Sequence, residues 1–218
     1  MREAFHDQLD SMFADLAAIA GQVQLAVHDA SRALLTSDAA MAEAVISADR
    51  EIDRATARVE DTAFSLLSLQ QPVAGDLRTV VAALRMVSEL ERMGDLSVHV
   101  AKIARLRVPE IAVPAEARPT MVRMAAVAEE MVSRVTRIIG DRDVEAAEEL
   151  ELMDDEMDQL RVTTFSQLLA QEWPHGIESA VDIALLGRYY ERIADHAVSV
   201  AHRVVFVVTG HHPAGAHS

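Results

Sequence analysis

The 218-residue sequence contains no cysteine. That excludes disulfides, thiolate-held iron–sulfur clusters, cysteine-ligated zinc and cysteine nucleophiles together. Aromatic residues make up only 4%, and glycine and proline number 8 and 6. All-β sandwiches and barrels draw heavily on turn residues and aromatic or β-branched strand formers, so this composition argues against them. Lysine is nearly missing too: Lys102 stands alone against 19 arginines. Basic residues are outnumbered, 20 to 35, for a net charge of −15. Such a chain has no bulk attraction for a phosphate backbone, and no nucleic-acid partner is expected. No stretch approaches the roughly 18–20 uncharged apolar residues that span a bilayer, so no direct membrane insertion is expected. The start, Met1-Arg2-Glu3-Ala4-Phe5-His6-Asp7, does not read as a signal peptide. The expectation is a soluble, intracellular protein.

What is present favours helix. Hydrophobic residues make up 50% and charged residues 25%, a globular balance dominated by Ala, Leu, Glu, Arg and Met. The prolines, Pro72, Pro109, Pro114, Pro119, Pro174 and Pro213, punctuate long proline-free segments. Thr36-Ser37-Asp38 supplies a stop and an N-cap inside the first segment. Gly140-Asp141-Arg142-Asp143 does the same later, with Gly140 suited to a C′ position. The spacing predicts six helices, over 3–35, 38–70, 74–107, 119–139, 143–172 and 176–208. Residues 1–108 then form one three-helix unit, 109–118 a linker, 119–210 a second unit and 211–218 a frayed tail.

The two halves repeat. Residues 77–108 align without gaps to 177–208, an offset of 100. Glu91-Arg92-Met93-Gly94-Asp95 falls on Glu191-Arg192-Ile193-Ala194-Asp195, and Val98, Val100, Ala101 and Val108 fall on Val198, Val200, Ala201 and Val208. Upstream, Asp49-Arg50-Glu51-Ile52-Asp53 resembles Asp154-Asp155-Glu156-Met157-Asp158, and Pro72 resembles Pro174. Short connections make consecutive helices antiparallel, so the expected fold is all-α: two tandem antiparallel three-helix bundles related by an internal repeat.

Several acids fall on faces that are otherwise apolar. On a helical wheel with Glu91 at zero, Leu84 and Val98 lie about 20° to either side, and Val80 and Val87 lie within about 40°. Asp95 sits about 40° away, beside Leu77. In the last helix Glu191 and Asp195 align with Ile177, Ala180, Ala184, Val198 and Val205. In the second helix Asp49 and Asp53 fall near Ile46, Phe64 and Leu67. Carboxylates at i and i+4 repel, and partial burial raises the cost unless positive charge sits between them. Two readings follow. Asp49, Asp53, Glu91 and Asp95, with Asp154, Asp158, Glu191 and Asp195 in the second unit, make hard-cation sites for Mg²⁺, Ca²⁺, Mn²⁺ or iron. Alternatively, Arg92, Arg192, Arg50 or Arg54 neutralises them in salt bridges.

Other constellations fail. A ferritin-like di-iron centre needs Glu-x-x-His, and Gly94 and Ala194 stand three after Glu91 and Glu191. His99 could add a ligand one turn past Asp95, but its repeat mate is Ser199. No phosphate-binding loop, nucleophile elbow or dinucleotide fingerprint occurs. The tail histidines read as incidental, Tyr189, Tyr190 and Trp173 as packing and helix-end residues. The eight acids between Glu145 and Asp158 read as a solvated face. No enzyme is indicated; a metal-free helical interaction module stays open beside a metal-binding one.

Asp76-Leu77-Arg78, Leu90-Glu91-Arg92-Met93-Gly94-Asp95 and Glu191-Arg192-Ile193-Ala194-Asp195-His196, in two three-helix units, resemble the PhoU family of phosphate-signalling proteins over about residues 3–208. The resemblance implies twin three-helix bundles with multinuclear metal clusters, iron or zinc in some members, on the acidic motifs. It implies a non-catalytic cytoplasmic regulator of phosphate homeostasis, peripheral to the membrane through its partners. Those partners would be the ATPase of a phosphate-specific ABC transporter and a phosphate-sensing histidine kinase. Through them such proteins repress phosphate uptake and the starvation response when phosphate is plentiful. A homodimer is a further expectation. The sequence departs from the family pattern in carrying Ala194 for the usual Gly, and His99 and Ser199 where Asn commonly follows the motif.

Overall fold

Asp38 and Asp143 each open a helix by accepting a hydrogen bond from a backbone N–H three residues on, Met41 at 2.9 Å and Ala146 at 3.0 Å. These side chains satisfy donors that the first turn would otherwise leave unmet. In the computed structural model, which describes residues 2–169 and 173–211, the chain forms six helices: α1 Arg2–Thr36, α2 Ala39–Gln70, α3 Gly75–Arg107, α4 Arg118–Asp141, α5 Val144–Leu168 and α6 Gly176–Thr209. All six expected helices are found, and among the described residues there is no strand.

Two boundaries differ from expectation. α4 runs through Gly140 and stops at Asp141, and the residue that turns the chain is Arg142, at φ 54°. The left-handed position therefore falls two residues after the glycine that suits it best. α5 ends at Leu168, short of 172; residues 170–172 lie outside the described residues, as do 212–218 of the expected frayed tail. Trp173 lies at the helix end, as expected, where its indole N–H donates to the Gly176 carbonyl at 3.1 Å.

Each helix buries a stripe at three- and four-residue spacing. In α1 it is Met12, Leu16, Ile19, Val23, Val27 and Leu34; in α5 it is Ala147, Leu150, Met157 and Thr164, narrow because the rest of that helix is acidic and exposed. α2, α3, α6 and α5 lie side by side in that order as one layer, with α1 and α4 packed behind it and against each other. α3 and α6 run antiparallel: Arg78 near the start of α3 donates to the carbonyl of Val207 near the end of α6, and Arg107 at the other end meets Asp182.

The repeat is visible in burial. Ala82, Ala83, Met86, Val87, Leu90, Met93, Gly94, Val100, Ala101 and Ala104 are buried in α3, and the residues 100 further on are buried in α6. The halves share one apolar core. The proline-rich connection belongs to it as well, since Ala112, Val113 and Ala117 are buried and the Pro114 carbonyl accepts from Ala117 and Arg118 at 3.1 and 3.0 Å.

Leu90 is fully buried where α3 meets its neighbours. Leu90→Ala is expected to lower unfolding free energy by about 2–5 kcal/mol, transfer and cavity terms together. Urea denaturation should show a lower midpoint with an unchanged slope; an unchanged midpoint would contradict the shared core.

Candidate functional site

In the first unit α2 carries Asp49 and Asp53, and α3 carries Glu91 and Asp95. The helices approach closely at Gly94, where an added Cβ would stand 3.4 Å from Asp49 Oδ1 and 3.4 Å from Ile52 Cδ1. Gly94 thus sets the distance at which α2 presents its carboxylates to α3. Asp49, Glu91 and Asp95 are half-buried and Asp53 is exposed. Burial, with the charges of Asp53, Asp95 and Glu91, pushes Asp49 up to about 6, against the opposing charge of Lys102. Burial also raises Glu91, helped by Asp95, Asp53 and Glu60 and opposed by Arg92. Asp49 and Glu91 therefore sense the other acids across the two helices.

The second unit repeats this with α5 and α6. Burial and the charges of Asp195, Asp158, Asp155 and Glu191 push Asp154 up to about 6. Burial raises Asp195 too, with Asp158 adding and Arg188, His196 and Arg192 opposing. Glu191 is buried, and here the halves diverge. Arg188 binds it from one turn earlier on α6, and Arg161 of α5 approaches it at 3.6 Å. Burial and Asp195 still raise Glu191.

The arginines that sequence reasoning named act differently. Arg92 bonds Asp95 at 3.0 Å, and Arg54 bonds Glu51 at 2.7 Å, outside the cluster. Arg50 and Arg192 make no ion pair among the described residues. The missed residues are Arg188 and Arg161. Their signal lay in the repeat: Arg188 corresponds to Ser88, so Glu191 has a cation one turn away that Glu91 lacks. His99 does not join Asp95. It stacks on Tyr189 across the α3–α6 seam, ring centres 5.2 Å apart. The apolar surround is also looser than the wheels imply. Val80, Val87, Val98 and Val205 are buried, but Leu77, Ile177 and Phe64 are exposed. The acids lie on the rim of the core.

Among the described residues no group of three or more His, Asp or Glu side chains stands in a ligating arrangement. The carboxylates share two regions but are not gathered on a point. In the first unit the donor set suits a hard cation: desolvated oxygens, raised carboxyl groups, and no arginine ion-paired to Asp49 or Glu91 among the described residues. In the second, a cation would have to displace Arg188 from Glu191.

Two outcomes follow. A carboxyl held above its ordinary value of 3.8 binds its proton more tightly in the folded chain than in the unfolded one. Its contribution to stability is full at low pH and is lost as pH rises to about 6. Asp49→Asn is therefore expected to raise the melting temperature at about pH 7.5 and to have little effect at about pH 4. Equal effects at both pH values would refute the shift. Secondly, Glu91→Gln should be neutral or stabilising, while Glu191→Gln should gain less, because Arg188 and Arg161 already offset part of the cost of burying the Glu191 charge. Thermal melts of the two variants in chelator decide this.

A PhoU domain family model matches residues 16–104 and 121–204. The phosphate-specific transport system accessory protein PhoU homolog 2 of Mycobacterium tuberculosis is 45% identical over 213 residues, covering 98% of this chain and 100% of that one. PhoU homolog 1 of Mycobacterium leprae is also 45% identical, covering 98% and 96%. The crystal structure of PhoU from Pseudomonas aeruginosa superposes with a TM-score of 0.89 at 27% identity, covering 95% of this chain and 100% of that one. Twin acid clusters on a duplicated three-helix frame, and a family match through both halves, show that the chain belongs to the PhoU family.

Proposed function

We propose that this chain is a non-catalytic regulator of phosphate homeostasis. It couples the ATPase of a phosphate-specific ABC transporter to a phosphate-sensing histidine kinase, and represses phosphate uptake and the starvation response when phosphate is plentiful. The observation that carries this reading is the match along nearly the whole chain to relatives named as accessory proteins of the phosphate-specific transport system. The chain works in the cytoplasm as a homodimer, held at the inner face of the membrane by its partners. No helix among the described residues is long and apolar enough to cross a membrane, and a net charge of −15 is repelled by anionic headgroups. Exposed Leu77, Val81, Ile177 and Val181 leave apolar surface on α3 and α6 for protein partners.

Asp49, Asp53, Glu91 and Asp95 bind the metal of the first unit, and Asp154, Asp158, Glu191 and Asp195 that of the second. Iron, zinc, Mg²⁺ or Mn²⁺ would supply the positive charge these oxygens lack. The first unit is the stronger site, because its acids have fewer arginine partners.

A strain lacking this chain should express starvation genes at high phosphate, and tagged protein should bring down the transporter ATPase and the kinase from native membranes. Normal repression in that strain would overturn the adaptor reading. Metal is tested separately. An ion at a hundredfold excess over its dissociation constant should stabilise the wild type by about 2.7 kcal/mol, and Glu91→Gln with Asp95→Asn should lose most of that gain. A melting temperature indifferent to every metal would end the metal reading alone.

A further inference from the structure

The α3–α6 seam is charged differently at its two ends. At one end Arg107 is neutralised, with Asp182 at 2.5 Å and Glu178 at 2.6 Å. At the other end Arg78 of α3 reaches Val207 of α6, and one turn before Val207 Arg203 feels the charges of Arg85 and Glu89 of α3; none of the three arginines makes an ion pair among the described residues. The repeat shows how this arose. Glu178 corresponds to Arg78 and Asp182 to Ala82, so the acids of one end are a cation and a methyl at the other.

Arg78 is held in place without a carboxylate. Its Nη2 donates to the Val207 carbonyl at 3.3 Å, and its guanidinium lies 5.7 Å from the centre of the Phe206 ring. It also packs on Gly210, at φ 80°, where a Cβ would stand 2.9 Å from Arg78 Nη1. Glycine there both permits the left-handed turn and leaves room for the guanidinium. Yet the Nε–H of Arg78 and the Nε–H of Arg203 are buried without a hydrogen-bond partner among the described residues. Burial and the nearby charge of Arg85 disfavour the charged form of Arg203, and Glu89 opposes them. Glu89 already accepts from His196 Nδ1 at 2.6 Å. Buried donors left unmet and like charges left adjacent both cost stability, and a bound anion would relieve both.

We propose that Arg78, Arg85 and Arg203 form a binding site for a phosphate-class oxyanion on the α3–α6 seam. Guanidinium forks offer paired N–H donors that match phosphate oxygens, which a lysine would not. The site lies about 120° around α3 from Glu91, so it is separate from the carboxylate clusters. It stands on the seam geometry and does not depend on the adaptor reading. The same chemistry serves free phosphate and the terminal phosphate of a monoester.

The test is calorimetric titration of the purified full chain with inorganic phosphate and with AMP, at constant ionic strength set by chloride. One saturable site per chain is expected for at least one of them, with a matching rise in melting temperature. The tighter of the two identifies the source. Arg203→Gln and the exposed Arg85→Gln should each weaken binding about tenfold, the loss of one charge-assisted hydrogen bond. Arg123→Gln, on an exposed arginine paired with Glu156 on α5, should leave it unchanged. Two results would overturn the proposal: neither phosphate nor AMP binding above the chloride background, or full affinity kept in a folded Arg85→Gln. If the arginines serve packing alone, Arg203→Gln will lower the melting temperature by the same amount with and without phosphate, which also overturns it.

Discussion

The antiparallel packing of α3 against α6 is the contact on which the rest of the molecule depends. Each helix is the third of its unit, and each lends one side to its own bundle and the other to the opposite half. Small residues, Ala83, Gly94, Ala101 and Ala104 in α3 and Gly187, Ala194, Ala197 and Ala201 in α6, recur along their buried faces. They let neighbouring helices approach closely. The carboxylates of both clusters, the stacked pair His99 and Tyr189, and the arginines at the two ends are all carried by this pair or by the helix beside it. Tyr190 carries the connection to the back layer, since its buried hydroxyl meets Ser31 of α1 at 2.9 Å.

Duplication built the frame, and single substitutions then made the halves unequal. Glu91 and Glu191 occupy equivalent turns, but only Glu191 has an arginine one turn before it on the same helix and another on the helix alongside. One cluster is therefore short of positive charge and the other partly supplied. The seam ends diverged in the same way, Arg107 with two acids and Arg78 with a backbone carbonyl. A symmetric scaffold with asymmetric charge can present different surfaces to different partners without a change of fold.

The helices were legible because their signals are local. Asp38 and Asp143 cap where a short side chain next to a helical run must cap, and Pro72, Pro109, Pro114, Pro119 and Pro174 all lie outside helix interiors. The repeat was legible because burial imposes the same identities at equivalent positions. α4 overran Gly140 because Ile138 and Ile139 are fully buried, and their packing carries the helix on to Asp141. The exposure of Leu77, Phe64 and Ile177 was not legible, since a wheel shows which residues share a face but not how far the neighbouring helix covers it.

The sequence by itself determined six helices, their duplication and the two sets of four acids. Spacing along a helix is enough to put Glu91 with Asp95 and Glu191 with Asp195. Tertiary structure decided how those acids are neutralised. Arg161 reaches Glu191 from a separate helix, Arg54 turns to Glu51, and His99 leaves Asp95 for Tyr189. It also decided that Arg203 feels the charge of Arg85, a residue 118 positions away on the antiparallel helix. Charge pairing depends on distances of a few ångströms between helices, and those are set by side-chain packing across the seam, which spacing within one helix does not encode.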